Sequence, residues 1–312
     1  MASGKISSTA SSVVAKISLC FHLVIFLCGR CIVECLQNLI YFLSCRCAPI
    51  RRRAQLPESL HGKTILITGA NGGIGAELTR VCARLGATVI LACRDAVLAN
   101  ETIERVLQSE PTVSAGQLTY VHLDLASLAS VRRAVEELSR FPAIHVLFNN
   151  AGVMMCPRWR TEDGLEYQFG VNYLGHWLLT VLLMEKLNAG TARVVNFSSI
   201  ALWVGSRHYF ENVNLDGPWT YNSLVAYGRS KQFVMMATAE LSRRLAARGS
   251  KVTVYSLHPG IVDTKLTRHL SVVLRALIWP LRPLFTISPL MGAQTALFCA
   301  YGDQARPGLY HA

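Results

Sequence analysis

Tyr227-Gly228-Arg229-Ser230-Lys231 sets a phenol and an ammonium four residues apart, which on a helix is one turn along one face. A phenol with an unperturbed pKa of about 10 transfers protons poorly at neutral pH, whereas a neighbouring positive charge stabilises its phenolate and draws that pKa down. The pair is therefore a candidate general acid-base. Ser198 and Ser199 close an apolar run at 193–197 and add two hydroxyls upstream of Tyr227. Taken singly, Tyr-x-x-x-Lys is most often a solvated helix face and Ser-Ser a turn, so the chemistry depends on what accompanies them.

A phosphate cradle accompanies them. The run Thr64–Ile67 reads as a strand and passes into Thr68-Gly69-Ala70-Asn71-Gly72-Gly73-Ile74-Gly75, after which a helical pattern starts at once. Glycines at a strand-to-helix turn let backbone N–H groups approach a pyrophosphate, and the helix amino-terminus adds about half a positive charge. The spacing is G-x-x-x-G-x-G and not the G-x-G-x-x-G of two-domain dehydrogenases.

The elements that must hold these groups alternate along the chain. Apolar, β-rich runs lie at 64–67, 88–92, 118–123, 145–148, 193–197 and 251–257, with Gly308-Leu309-Tyr310 as a final strand. Helical patterns near 73–85, 96–108, 127–140, 165–188 and 223–248 separate the first six; Val131, Ala134, Val135 and Leu138 show the period. Such alternation predicts an α/β fold, a single Rossmann-type doubly wound parallel sheet with helices on both faces.

Thr68-Gly69-x-x-x-Gly73-Ile74-Gly75, Asp124, Asn149-Asn150-Ala151-Gly152, Asn172, Ser199, Tyr227 and Lys231, in this order, resemble the short-chain dehydrogenase/reductase family over roughly residues 62–310. Leu91-Ala92-Cys93-Arg94, Gly152-Val153-Met154-Met155 and Asn172-Tyr173-Leu174-Gly175-His176 are similar to its retinol-dehydrogenase-like branch, some of whose members act on polyprenoid lipids. The resemblance implies a hydride transfer between a nicotinamide and a carbonyl or alcohol. Tyr227 would exchange the proton, Ser199 would bond the reacting oxygen, Lys231 would also hold the nicotinamide ribose, and Asn172 would position a relay water. Gly69, Ala70, Asn71, Gly72, Gly73, Ile74 and Gly75 would cradle the dinucleotide, with Asp124 at the adenine and Asn150 and Thr264 as further contacts. Ser198 would face the cofactor, and His176 and His258 would be structural.

The second strand's end indicates which nicotinamide. An enzyme selecting NAD places a carboxylate there, which accepts from the ribose 2′-hydroxyl and repels a 2′-phosphate. Here Cys93 and Arg94 stand in its place, and a guanidinium can clamp a phosphate, so NADP(H) is expected. The competing reading pairs Arg94 with Asp95 or solvent. Family members with a second basic residue in the glycine loop differ from this chain, which has Ala70 and Asn71.

Charge and hydropathy separate the ends from the body. The net charge of +12 is distributed as +5 over residues 1–60, +3 over 61–264 and +4 over 265–312. A basic excess on apolar ends fits anionic lipid headgroups and not a nucleic-acid stripe. Residues 17–45 are apolar except for His22, Arg30, Glu34, Gln37 and Asn38. As one helix they would reach about 43 Å, enough to span a bilayer, but the Arg30–Glu34 pair leaves a re-entrant or interfacial anchor equally open. Residues 1–60 are thus expected to be a membrane anchor and basic linker, and 61–312 the catalytic domain. If the segment spans, Arg46, Arg51, Arg52 and Arg53 would hold that domain in the cytosol; the membrane expected is that of the endoplasmic reticulum or a lipid droplet. Glycosylation of the Asn100-Glu101-Thr102 sequon would overturn that topology.

Six of ten cysteines precede residue 50, and Cys28-x-x-Cys31 has no second ligand pair, so neither a disulfide framework nor a metal site is expected; Cys45 and Cys47 are candidates for palmitoylation. An apolar stretch at about 264–290 with Arg268, Arg275, Arg282 and Trp279 reads as a lid drawing a lipophilic small molecule from the membrane. The same side chains could complete a core or a homodimer interface. Against the oxidoreductase stand a non-enzymatic NADP(H)-binding scaffold or sensor and an epimerase or dehydratase on the same fold.

Overall fold

Strand β1 (Thr64–Thr68) is apolar on both faces: Ile65 and Ile67 enter one core, Leu66 the other, and all three are fully buried. A strand covered on both sides belongs in a parallel sheet between helical layers. The computed structural model describes residues 54–189, 191–204, 212–217, 220–269 and 286–311. The expected anchor at 17–45, Cys45, Cys47 and the lid residues 270–285, with Arg275, Trp279 and Arg282, lie outside them.

The sheet is parallel throughout, in the order β3-β2-β1-β4-β5-β6-β7, with β2 at Thr88–Cys93, β3 at Leu118–His122, β4 at Val146–Asn149, β5 at Arg193–Phe197, β6 at Thr253–Leu257 and β7 at Tyr310–His311. Helices α1 (Gly73–Arg84) and α2 (Ala96–Ser109) cover one face, and α3 (Leu128–Glu137) lies on the other. The chain reverses its order between β1 and β4, and the crevice beyond the carboxyl ends of strands at such a point is where ligands enter doubly wound sheets. The glycine turn leaves β1 there, and residues 150–152 leave β4.

Two helical expectations need correction. The pattern at 165–188 predicts one helix, but the chain forms α4 in three parts, Tyr167–Phe169, a π-helical turn Gly170–Leu174 and Gly175–Leu182, followed by α5 (Met184–Asn188). A π turn widens the backbone locally and is common at functional sites, and Asn172 lies at its centre. The helix α7 (Pro289–Tyr301) was not expected at all. Its Ser288 cap and Pro289 are a sound start signal, but Ala293, Ala296, Leu297, Cys299 and Ala300 are buried under the sheet, and an almost wholly apolar helix shows no polar face by which to recognise it. Helix α6 (Ser223–Ala247) has the expected bounds and packs Leu241 and Leu245 into the same core as α3.

Gly175 lets α4 lie directly on the loop after β3: a Cβ there would stand 2.8 Å from the Leu125 carbonyl and 3.1 Å from the Leu125 side chain. Backbone cannot yield cheaply, so Gly175→Ala is expected to destabilise the protein by about 1–3 kcal/mol, measured by urea unfolding. A variant as stable as the parent would show that α4 can move.

Candidate active site

The glycine turn is shaped from behind. Asn150 Nδ2 donates to the carbonyls of Thr68 (2.9 Å) and Gly69 (3.3 Å), and a Cβ on Gly75 would meet Gly69 O at 2.3 Å and that same amide nitrogen at 2.7 Å. Thr264 closes the other side, its methyl 2.8 Å from where a Gly73 Cβ would be. Gly72 is exposed with open space beside it, and α1 begins there with no side-chain cap, whereas α2, α3, α6 and α7 are capped by Asp95, Ser127, Asn222 and Ser288. Uncapped N–H groups beside a surface free of side chains fit a dinucleotide pyrophosphate. Ala70 is buried, Asn71 and Gly69 are half-buried, and Ile74 packs inward against Gly292.

Cys93 lies beneath this turn, buried, its thiol pushed up to about 11 by desolvation. Arg94 points outward, with Nη1 3.3 Å from the Tyr167 hydroxyl and 3.9 Å from an Asp124 carboxylate oxygen. The suggested pairing with Asp95 does not form: Asp95 caps α2 through the Leu98 N–H. Asp124 also accepts from Ala126 N at 2.9 Å, which fixes its carboxylate at the β3 end. Among the described residues no group of His, Cys, Asp and Glu could hold a metal.

Asn172, Ser199, Tyr227 and Lys231 converge from three elements. The Ser199 hydroxyl lies beside the Tyr227 phenol and counteracts its rise in pKa, and Lys231 Nζ stands 5.8 Å from the centre of the phenol ring while donating to Phe197 O at 2.7 Å. Asn172 accepts from Val153 N (2.9 Å) and donates to Val153 O (3.0 Å) and to Ser230 Oγ (2.9 Å), so its amide ties the loop after β4 to α6. The Asn172 backbone carbonyl can only accept, so His176 Nδ1, at 3.0 Å, carries the proton and Nε2 accepts from Thr68 Oγ1 at 2.8 Å. Burial holds this imidazole neutral, its pKa lowered to about 4, and it serves as a strut between the π turn and β1.

Lys231 and an oxidised nicotinamide together are expected to draw the Tyr227 pKa down; with the protein alone around it, the phenol is pushed up to about 12 by burial, against a lowering effect of Ser199. The ammonium is brought down to about 7, also by burial. Both groups lose hydration, and the ammonium points at a carbonyl, so the protein without ligand favours the neutral form of each. Ser198 corrects an expectation: it is buried and donates to Lys231 O at 2.9 Å, joining β5 to α6 instead of facing the cofactor groove. His258 is buried, and its N–H donates to His311 O.

Several supporting groups were missed by sequence reasoning. Ser230 bonds both Asn172 and the Tyr227 carbonyl, Thr68 accepts from Ala151 N, and Arg229 is wholly buried. Arg229 and Ser230 lie between Tyr227 and Lys231 and Thr68 heads the glycine signature, but no spacing indicated the contacts that these side chains make.

A dinucleotide cradle and a Tyr–Lys–Ser–Asn cluster on one doubly wound sheet define a class of nicotinamide oxidoreductase, and comparison with known proteins agrees. Residues 63–211 match the short chain dehydrogenase family model, and the chain belongs to that family. Within it the chain falls in the retinol-dehydrogenase-like branch. It is 44% identical to retinol dehydrogenase 12 of Mus musculus over 248 residues, 79% of this chain and 75% of that one. It is 45% identical to retinol dehydrogenase 11 of Homo sapiens, covering 77% and 73%. Among solved structures, an uncharacterised protein from Mycobacterium paratuberculosis is similar at 36% identity and TM-score 0.65, covering 82% of each chain. An NAD(P)-dependent gluconate 5-dehydrogenase from Beutenbergia cavernae, solved with NADP at low occupancy, is similar at 26% identity and TM-score 0.64, covering 82% and 96%.

Proposed function

We propose that this protein is an NADP(H)-dependent oxidoreductase that interconverts a carbonyl and an alcohol on a lipophilic molecule of the retinoid, polyprenoid or sterol class. The carrying observation is the convergence of Ser199, Tyr227 and Lys231, with Lys231 Nζ 5.8 Å from the phenol ring centre and Asn172 tied to the same helix through Ser230 Oγ at 2.9 Å. Bound NADP(H) supplies or accepts the hydride. Tyr227 donates its proton to the carbonyl oxygen in reduction, Ser199 hydrogen-bonds that oxygen, Lys231 holds the ribose and supports the phenolate, and Asn172 orders the loop at 153 and the relay. Gly69, Gly72, Gly73 and Gly75 receive the pyrophosphate, Asp124 and Thr264 flank the adenine and nicotinamide ends, and Arg94 takes the 2′-phosphate.

The substrate class is supported by the relatives, named as retinol dehydrogenases, and by the apolar stretch at about 264–290 as a lid. Residues 1–60 serve in this reading as a membrane anchor that leaves residues 61–312 facing the cytosol; among the described residues no helix is long and apolar enough to cross a membrane. Purified protein with NADPH should reduce all-trans-retinal or a polyprenoid aldehyde. Absence of turnover with aldehydes, unchanged by Tyr227→Phe, would instead favour a non-enzymatic scaffold.

Arg94→Ala is expected to raise the Kd for NADPH by roughly tenfold to a hundredfold and to leave NADH binding almost unchanged, since one charge-assisted contact is lost. Titration of each reduced cofactor by fluorescence checks this. Equal weakening of both would remove Arg94 from cofactor choice.

A further inference from the structure

Arg229 sits between Tyr227 and Lys231 in sequence but, two residues from each, lies on the opposite side of α6. It is fully buried. Its Nη1 donates to Asn212 O at 2.8 Å, its Nη2 donates to Val213 O, and the same Nη2 stands 4.0 Å from a Glu166 carboxylate oxygen. Glu166 is buried too, accepting from Gln168 N at 3.0 Å and Phe169 N at 2.7 Å where α4 starts. Its own N–H donates to Asn214 Oδ1 at 3.0 Å. The pair thus grips the segment 212–214 from two directions.

The neighbours of the pair grip a second loop. Gln168 Oε1 accepts from Met155 N at 2.8 Å, and the Tyr221 hydroxyl, which accepts from Gln168 Nε2 at 3.3 Å, donates to Cys156 O at 2.9 Å. Two non-glycine residues among the described residues have left-handed backbones, Met155 and Leu215, each at φ 52°. One lies in each of these loops. Such conformations persist where surrounding contacts over-determine them, and they collect around functional sites. Both loops also begin at the candidate site: Val153 is bonded to Asn172, and Ser199 opens the chain segment that leads to 212–217.

A buried ion pair is a poor route to stability, because desolvation offsets much of its attraction; what a guanidinium fork provides is fixed geometry among several acceptors. We propose that Arg229 and Glu166 are a positioning pair that sets the separation of the loops leaving β4 and β5, and so decides how bulky a substrate reaches Tyr227. The inference rests on the oxidoreductase reading above. Neither residue touches the reacting atoms.

Arg229→Lys keeps the charge and loses the fork, while the double variant Arg229→Met with Glu166→Gln leaves no lone buried charge. With the full-length protein and NADPH, kcat and KM are measured for all-trans-retinal and for hexanal. Each variant is expected to change KM for retinal by about fivefold or more, with KM for hexanal, kcat and the NADPH Kd within about twofold to threefold of the parent. Both aldehydes shifting together, or kcat and melting temperature falling with discrimination unchanged, would reduce the pair to a structural role and overturn the proposal. Hydrogen exchange reads the coupling without turnover. In Arg229→Lys, residues 153–157 and 212–217 are expected to lose protection together, and if only one segment or neither responds the pair does not couple them. A parent protein inactive on every aldehyde would sink the functional reading, while the exchange result would still decide the pair.

Discussion

Tyr227→Phe is expected to lower kcat for aldehyde reduction by about 10²- to 10⁴-fold while the Kd for NADPH changes by less than about tenfold. The phenol is the group proposed to give up a proton, beside the Ser199 hydroxyl and 3% exposed. Phenylalanine retains the ring and its packing, so loss of activity in a variant with unchanged melting temperature isolates the hydroxyl. Single-turnover measurement with saturating NADPH checks it. A variant within about threefold of the parent would take proton transfer away from Tyr227 and with it the proposed mechanism.

Lys231→Met should reveal what the ammonium costs the fold. Its pKa is lowered by burial to about 7, against 10.5 for an unhindered lysine. Between these values the unfolded chain holds a proton that the folded chain does not, so the stability of the parent rises with pH across this window. Below about pH 7 both states are protonated and the desolvation penalty is fully present. The methionine variant lacks this dependence. The stability difference between variant and parent should therefore shift in favour of the parent by on the order of 1 kcal/mol per pH unit from pH 7 to 10. Tyr227 acts in the opposite sense above this window, because its raised pKa keeps a proton in the folded state between about 10 and 12 that the unfolded chain has lost. Urea unfolding of both proteins at a series of pH values tests the slope. A difference independent of pH would show that Lys231 remains charged and solvated. Activity should be lost in the variant at every pH, since ribose and phenolate lose the same support.

How much of this was legible beforehand depends on the range of the interaction concerned. Strands with alternate residues committed to two cores, such as Ile65, Leu66 and Ile67, declare themselves by composition alone, and the parallel sheet follows. The same is true of the glycine turn and of Tyr227 with Lys231, because a turn and a helical repeat are local and translate spacing directly into geometry. Helix α7 was illegible for the converse reason: enclosed by the sheet and α1, it has almost no polar face to mark its period.

Chain order and backbone periodicity were enough to name the doubly wound sheet, the glycine turn after β1 and the shared face of Tyr227 and Lys231, since each follows from contacts within a few residues, whereas Ser199 and Asn172 were reached only through the family resemblance. Protonation, by contrast, belongs to the assembled interior. No spacing indicates that Tyr227 is raised and Lys231 lowered, that Ser198 turns to the Lys231 carbonyl, or that Arg229 is enclosed against Glu166 and two carbonyls. These depend on how much water is excluded and on which distant backbone atoms arrive, quantities that exist only once loops far apart in the chain have packed together.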